Sequence, residues 1–371
     1  MYGALSNLLY MFIIAILILA SRDWYRLSIE RGDVKKKMPI IAIVIVAFIF
    51  GLFNKLNTEW IGNSIYGGDR QNYLQDYYGR LTGYQGFDLF LRLAATYIGD
   101  FNLTLYFTTF LCCLTILIVL RYSEQATPST LAFILASNFV FFTFTGLKQA
   151  LAGIFVNIFF LLALSRRRGF VVDVCCIAMM FLSVQFHITG YVLLPVFFML
   201  RLNYDRGRKS ALIFMVLLIT LLFMEPILLG LARFLGSNAT VLVDKINEYL
   251  TEDALQPAEG RLAFLKGVPY YCLTYFAASS RHEMVSKIQN YDRYLIISGL
   301  ASMFSASTIV SYWFPRFTYL FVFPCAILYG LLVMGIEDKR RRQLMTLTIL
   351  MPLLFFTLRS NMLVFINYGG Y

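Results

Sequence analysis

Charge is what this sequence has least of. Asp, Glu, Lys and Arg together make up 14% of its 371 residues, where a soluble globular protein carries about 25%. So few charges cannot cover a water-facing surface, and 59% of the residues are hydrophobic and 17% aromatic. The surface therefore faces lipid. Histidine is scarcer still, with 2 in the whole chain. No Cys/His cluster, Asp/Glu cage, phosphate loop, dinucleotide fingerprint, HExxH or GxSxG is present, which removes the enzyme classes built on them. The six cysteines (Cys112, Cys113, Cys175, Cys176, Cys272 and Cys325) all fall in apolar runs, and the adjacent pairs lack metal-ligand spacing. They read as buried thiols without a disulfide framework. Internal repeats and Pro/Gly/Ser linkers are missing too, so residues 1–371 read as a single integral membrane domain.

What the chain has instead is apolar runs of spanning length, about 17–25 residues with some shorter. They predict an all-α, polytopic fold of about twelve transmembrane helices near 3–20, 39–54, 102–120, 130–146, 149–164, 170–186, 188–200, 211–229, 262–279, 294–312, 317–335 and 344–358. No basic segment precedes the first run, so it is expected to be a retained helix rather than a cleaved signal. The net charge of +11 lies mostly in short links. That is a topology signal with anionic lipid headgroups as partners, and it excludes nucleic acid.

The positive-inside rule assigns sides. One set of links holds 21 of the 32 basic residues, among them Lys35–Lys37, Arg166–Arg168, Arg201 and Lys339–Arg342. That side is expected to be cytoplasmic, with both termini outside. The outer side carries two long loops. Residues 55–101 contain an amphipathic stretch from Gly86 to Ile98 that lies in the interface or re-enters the membrane. Residues 230–261 carry acidic Glu248, Glu252 and Asp253.

Topology accounts for the inner basic residues and disfavours every outer one, so the outer cations need another reason to exist. Lys148, followed by Gln149, either snorkels to the headgroups or faces an outward-open cavity as an anion site. Arg261 and Arg316 are interface anchors or phosphate forks. His187, at a tight outer helix turn, is either bonded to backbone or a proton donor or acceptor. Asp69 and Arg70 follow Gly67-Gly68, which predicts a tight turn; Asp69 is a turn partner of Arg70 or a general base.

Several of these residues sit in runs similar to a known family. Gly146-Leu-Lys-Gln-Ala-Leu-Ala152, an apolar helix, Ser165-Arg-Arg-Arg168, a second helix and Phe186-His-Ile-Thr-Gly-Tyr191 resemble the EpsG-like polysaccharide polymerases. Those proteins show an R-Q-x-[IL]-A run, a basic turn, F-H-x-[ST] and an apolar helix ending in proline, where this chain has Pro195. Gly68-Asp-Arg70 with Tyr73 resembles the family's G-[TDR]-D-x-x-x-Y, and Arg316 with Tyr319 its R-x-x-Y. The likeness covers roughly residues 60–330.

The resemblance implies a bacterial inner-membrane enzyme with a glycosyltransferase-C/Wzy-like fold, an O-antigen or exopolysaccharide polymerase. Such an enzyme joins undecaprenyl-pyrophosphate-linked repeat units at the periplasmic face, with a flippase and a chain-length regulator as partners and no cofactor. On that expectation Arg70, Lys148, Gln149, Arg261, Arg316, Tyr73 and Tyr319 hold the pyrophosphate and substrate. Asp69 or His187 takes the proton of the attacking sugar hydroxyl, outer-loop Tyr, Asn, Gln and Trp60 contact sugars, and the cations stand in for a metal. A lipid-oligosaccharide flippase or transporter is the first rival, but the two-fold hydropathy repeat common in such folds is missing. A glycan ligase or O-acyltransferase is the second, separated from a polymerase by single-unit transfer.

Overall fold

The computed structural model describes residues 15, 44, 45, 47, 67–123, 127–137, 146–165, 169–201, 263–288, 290–306 and 314–366, with backbone alone at 67–71, 263, 264, 314–316 and 358–366. Among the described residues every regular element is helical. The spans expected at 3–20, 39–54 and 211–229, apart from single residues of the first two, lie outside this set, as does the 230–261 loop. Two stretches, Phe101–Tyr122 and Phe317–Gly335, are long and apolar enough to cross a membrane.

Two helices precede the first of these, α1 (Gly67–Tyr77) and α2 (Gln85–Tyr97), and α3 (Phe101–Tyr122) follows directly. The carboxylate of Asp100 caps α3 by accepting from the Leu103 N–H at 2.7 Å. Inside it the hydroxyls of Thr104, Thr108 and Thr115 each donate to the carbonyl four residues back, at 2.8 Å. A helix in lipid must satisfy its polar atoms internally, and these threonines do so. Next come α4 (Pro128–Ala136), α5 (Leu147–Ala163), α6 (Phe170–Val184), a 3-10 turn (Ile188–Val192) and α7 (Leu193–Arg201). The C-terminal part adds α8 (Val268–Ser279), α9 (Arg281–Lys287), α10 (Tyr291–Ala306), a 3-10 segment (Phe314–Phe321), α11 (Val322–Gly335) and α12 (Lys339–Ile366).

Helix α11 sits at the centre. Its residues from Val322 to Val333 are all buried, and α4, α8, α10 and α12 pack around it. A helix apolar on every side is stable only when surrounded. Its contact with α4 is close because Gly330 has no side chain; a Cβ there would stand 2.8 Å from Thr127 Oγ1. Small residues let helix backbones approach in this way.

Helix α5 links two cores. Leu147 and Leu151 pack with Phe87, Leu91, Ala94 and Phe101 in a small cluster that includes α2. Val156, Phe159 and Phe160 join the main core around α11. Lys148 and Ala163 stand near opposite ends of α5, roughly 22 Å apart at the helical rise of about 1.5 Å per residue.

Arginines and lysines tie the elements at the Ala163 end. Arg293, 3% exposed, donates to the Ala163 carbonyl at 3.0 Å, where the helix dipole favours a cation. Arg281 forks onto Asp292 with two bonds of 2.7 Å. Arg201 pairs with Asp173. Lys287 reaches Glu337 at 2.8 Å and Glu283 at 3.2 Å, and its hydrogen bond and charge hold the Glu337 carboxyl below its usual range.

Two expectations change. The Gly67-Gly68 pair opens helix α1 instead of a tight turn, because α1 is held by contacts of its C-terminal half described below. The basic run Lys339–Arg342, read as a link, is the first turn of α12, since Asp338 Oδ1 accepts from the Arg340 N–H at 2.8 Å and starts the helix.

Filling the α4–α11 contact tests the packing. Gly330→Ala is expected to destabilise the protein by about 1–3 kcal/mol through overpacking. Gly153→Ala, at a position where a Cβ meets nothing within 4 Å, is expected to be neutral or stabilising by up to about 1 kcal/mol. Unfolding midpoints in detergent should separate the two, and equal midpoints would refute the close α4–α11 approach.

Candidate functional site

At the Lys148 end, α1, α2, the start of α5 and the turn after α6 converge. Gly83, at φ +82°, turns the chain into α2 in the left-handed region that glycine adopts without strain. Asp88, in the first turn of α2, accepts from the Thr82 N–H at 3.1 Å and its hydroxyl at 2.7 Å. Helix α2 then docks its N-terminus on the α6 turn. The Gly86 and Phe87 N–H groups both donate to the Gln185 carbonyl, at 3.1 and 3.4 Å. Gly86 is required for this approach, because a Cβ would meet Gln185 Cβ and a Phe186 ring carbon at 3.0 Å.

The centre of the site is a carboxylate shared by two cations. Asp76, 4% exposed on α1, faces Lys148 Nζ at 3.2 Å through Oδ2 and the Arg80 guanidinium at 2.6 Å through Oδ1. The Lys148 contact is an ion pair without a directed hydrogen bond, since Asp76 Oδ2 makes none. Arg80 is further fixed by Gln75 Oε1 at 2.9 Å and the Asn72 carbonyl at 3.1 Å. Three rings wall the ammonium, with centroids at 5.1 Å for Phe87, 5.7 Å for Tyr73 and 5.8 Å for Tyr84. Cation–π attraction at this range adds about 0.5–2 kcal/mol for a desolvated ammonium. The trio of Lys148, Arg80 and Asp76 carries one net positive charge.

His187 joins the site through Tyr84, its ring stacked on the tyrosine at 5.9 Å and 14°. Its Nδ1 accepts from the Thr189 N–H at 3.3 Å and lies 3.0 Å from the Thr189 hydroxyl. A ring nitrogen that accepts from a backbone N–H carries no proton of its own, so the neutral imidazole holds its proton on Nε2, the tautomer set by its partner. Gly190 keeps this turn tight; a Cβ there would lie 2.8 Å from the Val184 backbone nitrogen.

Beside these groups opens a cavity of about 230 Å³, lined by Gly83, Tyr84, Gln85, Val184, Gln185, Ile188 and Tyr191. Tyr84 is the wall that cavity and cation site share.

Of the residues singled out from sequence, Tyr73, Lys148 and His187 come together here. The Lys148 side chain is 20% exposed and its ammonium is paired with a carboxylate of the same chain. Gln149 is buried at 4% on α5. Asp69 and Arg70 lie in the first turn of α1, on backbone alone. Arg316 lies in the Phe314–Phe321 segment, also on backbone alone, whereas Tyr319 packs against the main core and not the α2 cluster. Arg261 lies outside the described residues. Asp76, Arg80 and Tyr84 went unrecognised. The spacing of Tyr73, Asp76, Tyr77 and Arg80, three and four residues apart, was the helical signal that a loop reading of 55–101 concealed.

Asp76→Asn is expected to destabilise the protein by about 3 kcal/mol, since it removes the carboxylate that Lys148 and Arg80 share, and Lys148→Met by less, since Arg80 still holds Asp76. The double variant should lose less than the sum, with a coupling of about 1–3 kcal/mol. Additive losses in a denaturation series would mean the pair does not hold α1 on α5.

The model of the EpsG family matches residues 39–368, nearly the whole chain, which therefore belongs to that family. No curated protein and no solved structure matches it. Membership points to a role of the polysaccharide-polymerase type and fits a membrane protein.

Proposed function

We propose that this chain is a glycosyltransferase of the bacterial inner membrane that lengthens a polysaccharide by joining undecaprenyl-pyrophosphate-linked repeat units at the periplasmic face. One observation carries the reading: two cations, Lys148 and Arg80, converge on a single buried carboxylate at one end of the bundle, beside an imidazole and an open cavity. A site with two cations on one carboxylate, walled by rings and set at a bundle end, suits a lipid diphosphate.

In the proposed reaction a hydroxyl oxygen of the acceptor sugar attacks the anomeric carbon of the donor glycan. The new C–O bond forms as the bond from that carbon to the phosphate oxygen breaks. The electron pair leaves with the undecaprenyl diphosphate, and the hydroxyl proton passes to a base. Lys148 and Arg80 face the charge that grows on the leaving oxygen, the kind of electrostatic stabilisation that supplies about 10²–10³-fold per donor. They do so as fixed side chains, without a metal ion. His187 carries its proton on Nε2 and lies beside the site, and Asp69 is the proposed base. Arg316, Arg261, Arg70 and Gln149 remain proposed contacts for the diphosphate and substrate, with Tyr73 and Tyr319 beside them.

Purified lipid-linked repeat units incubated with the protein, with and without chelator, test the reading. Wild type should yield a ladder of products in both conditions. Compared at equal amounts of purified protein, Lys148→Ala should lose the ladder by at least about 10²-fold, and Lys148→Arg should keep much of it. A full ladder from Lys148→Ala would overturn the assignment, and a ladder abolished by chelator would overturn the metal-free route. Capped single additions would favour a ligase, and translocation without new bonds a flippase.

A further inference from the structure

The cavity beside the cation site has a chemistry of its own. Among the described residues, the seven that line it include no charged group and no strong acid or base: two amides, two tyrosines, two aliphatic side chains and a glycine. Tyr191 is 49% exposed and stands at its mouth, while Tyr84 forms its buried wall at 8% exposure. Flat aromatic rings offer apolar faces to the C–H surface of a sugar, and amides offer both a donor and an acceptor to its hydroxyls. At about 230 Å³ the space holds one small ring, below the roughly 300–1,000 Å³ of drug-sized pockets.

The lack of charge also decides what is refused. A carboxylate placed against Tyr84, Val184, Ile188 and two amides would be desolvated without a cation among the lining residues, and such burial is expensive. Lys148 and Arg80 face Asp76 and do not line the cavity. The Gln185 amide side chain is also available for a ligand without structural loss, because the part of Gln185 that holds α2 is its main-chain carbonyl.

We infer that the Gly83–Gln85 and Val184–Tyr191 cavity is a monosaccharide subsite that takes an uncharged pyranose and rejects a uronic or other acidic sugar. Within the polymerase reading, on which this use of it rests, the ring seated there belongs to the acceptor. Its hydroxyls then lie next to His187 and within one ring's width of the Lys148–Asp76–Arg80 centre. The repeat unit would therefore present a neutral sugar at its acceptor end.

Saturation-transfer NMR on the purified protein in deuterated detergent tests this without turnover, using methyl hexopyranosides and the matching methyl uronates as probes. Saturation should reach the ring protons of at least one neutral hexoside, and its uronate should fail to compete. Tyr191→Ala and Gln185→Ala should each weaken binding about five- to tenfold, while Tyr275→Ala, an exposed tyrosine on α8, should not. Unfolding midpoints equal to wild type show that the variants are folded, and the hexoside–uronate comparison on wild type stands without them. No transfer to any hexoside, equal competition by uronates, or binding indifferent to both cavity variants would overturn the subsite. The polymerase reading fails separately, on the lipid-linked ladder. Neutral-sugar capture by a protein that makes no ladder would leave the subsite standing and remove only its assignment to an acceptor.

Discussion

The Asp76 carboxylate, held between Lys148 and Arg80, is the contact on which this end of the molecule depends. It joins a residue of α1 to the first turn of α5 across 3.2 Å, and α5 is the helix that runs from the small core into the main one. A lysine at a membrane boundary is costly to bury and cheap to leave in the headgroups. Here it is turned inward instead, and only a carboxylate with three aromatic rings around it makes that orientation stable.

A second constraint is geometric and falls on glycines. Gly86 lets two N–H groups of α2 reach the Gln185 carbonyl, which sets the distance between the amphipathic helix and the turn carrying His187. The cavity is the space left between these two elements, so its width follows from a backbone contact and not from its lining side chains. Tyr84 is placed by that docking, and it touches Lys148, His187 and the cavity. These three features are thus registered to one another through one ring.

At the far end of α5 the charges do different work. Arg293 closes the helix at Ala163, and Arg281, Arg201 and Lys287 each bind a carboxylate of a neighbouring element. These pairs are structural clasps across short links. Some basic residues that sequence treats alike, as topology signals, therefore also fix the packing of α6, α7, α9 and α10.

Composition pointed to a lipid-facing chain, and the length of its apolar runs, too long for the short alternating strands of a barrel, pointed to helices. The short runs around Lys148 and His187 carried the family, and the rarity of outer cations marked Lys148 itself. Helical order in 67–97 was only half visible: the amphipathic period from Gly86 was legible, while α1, polar and opened by two glycines, has no apolar stripe to announce it. What Lys148 faces was not legible at all. Its partner Asp76 lies 72 positions earlier in the chain, and no local pattern links them. Sequence fixes which side chains are available and at what period they repeat; which of them meet depends on how α1 and α2 fold back over α5. Only the tertiary structure decided that, because burying Phe87, Leu91 and Phe101 against Leu147 and Leu151 brings the two charges within reach.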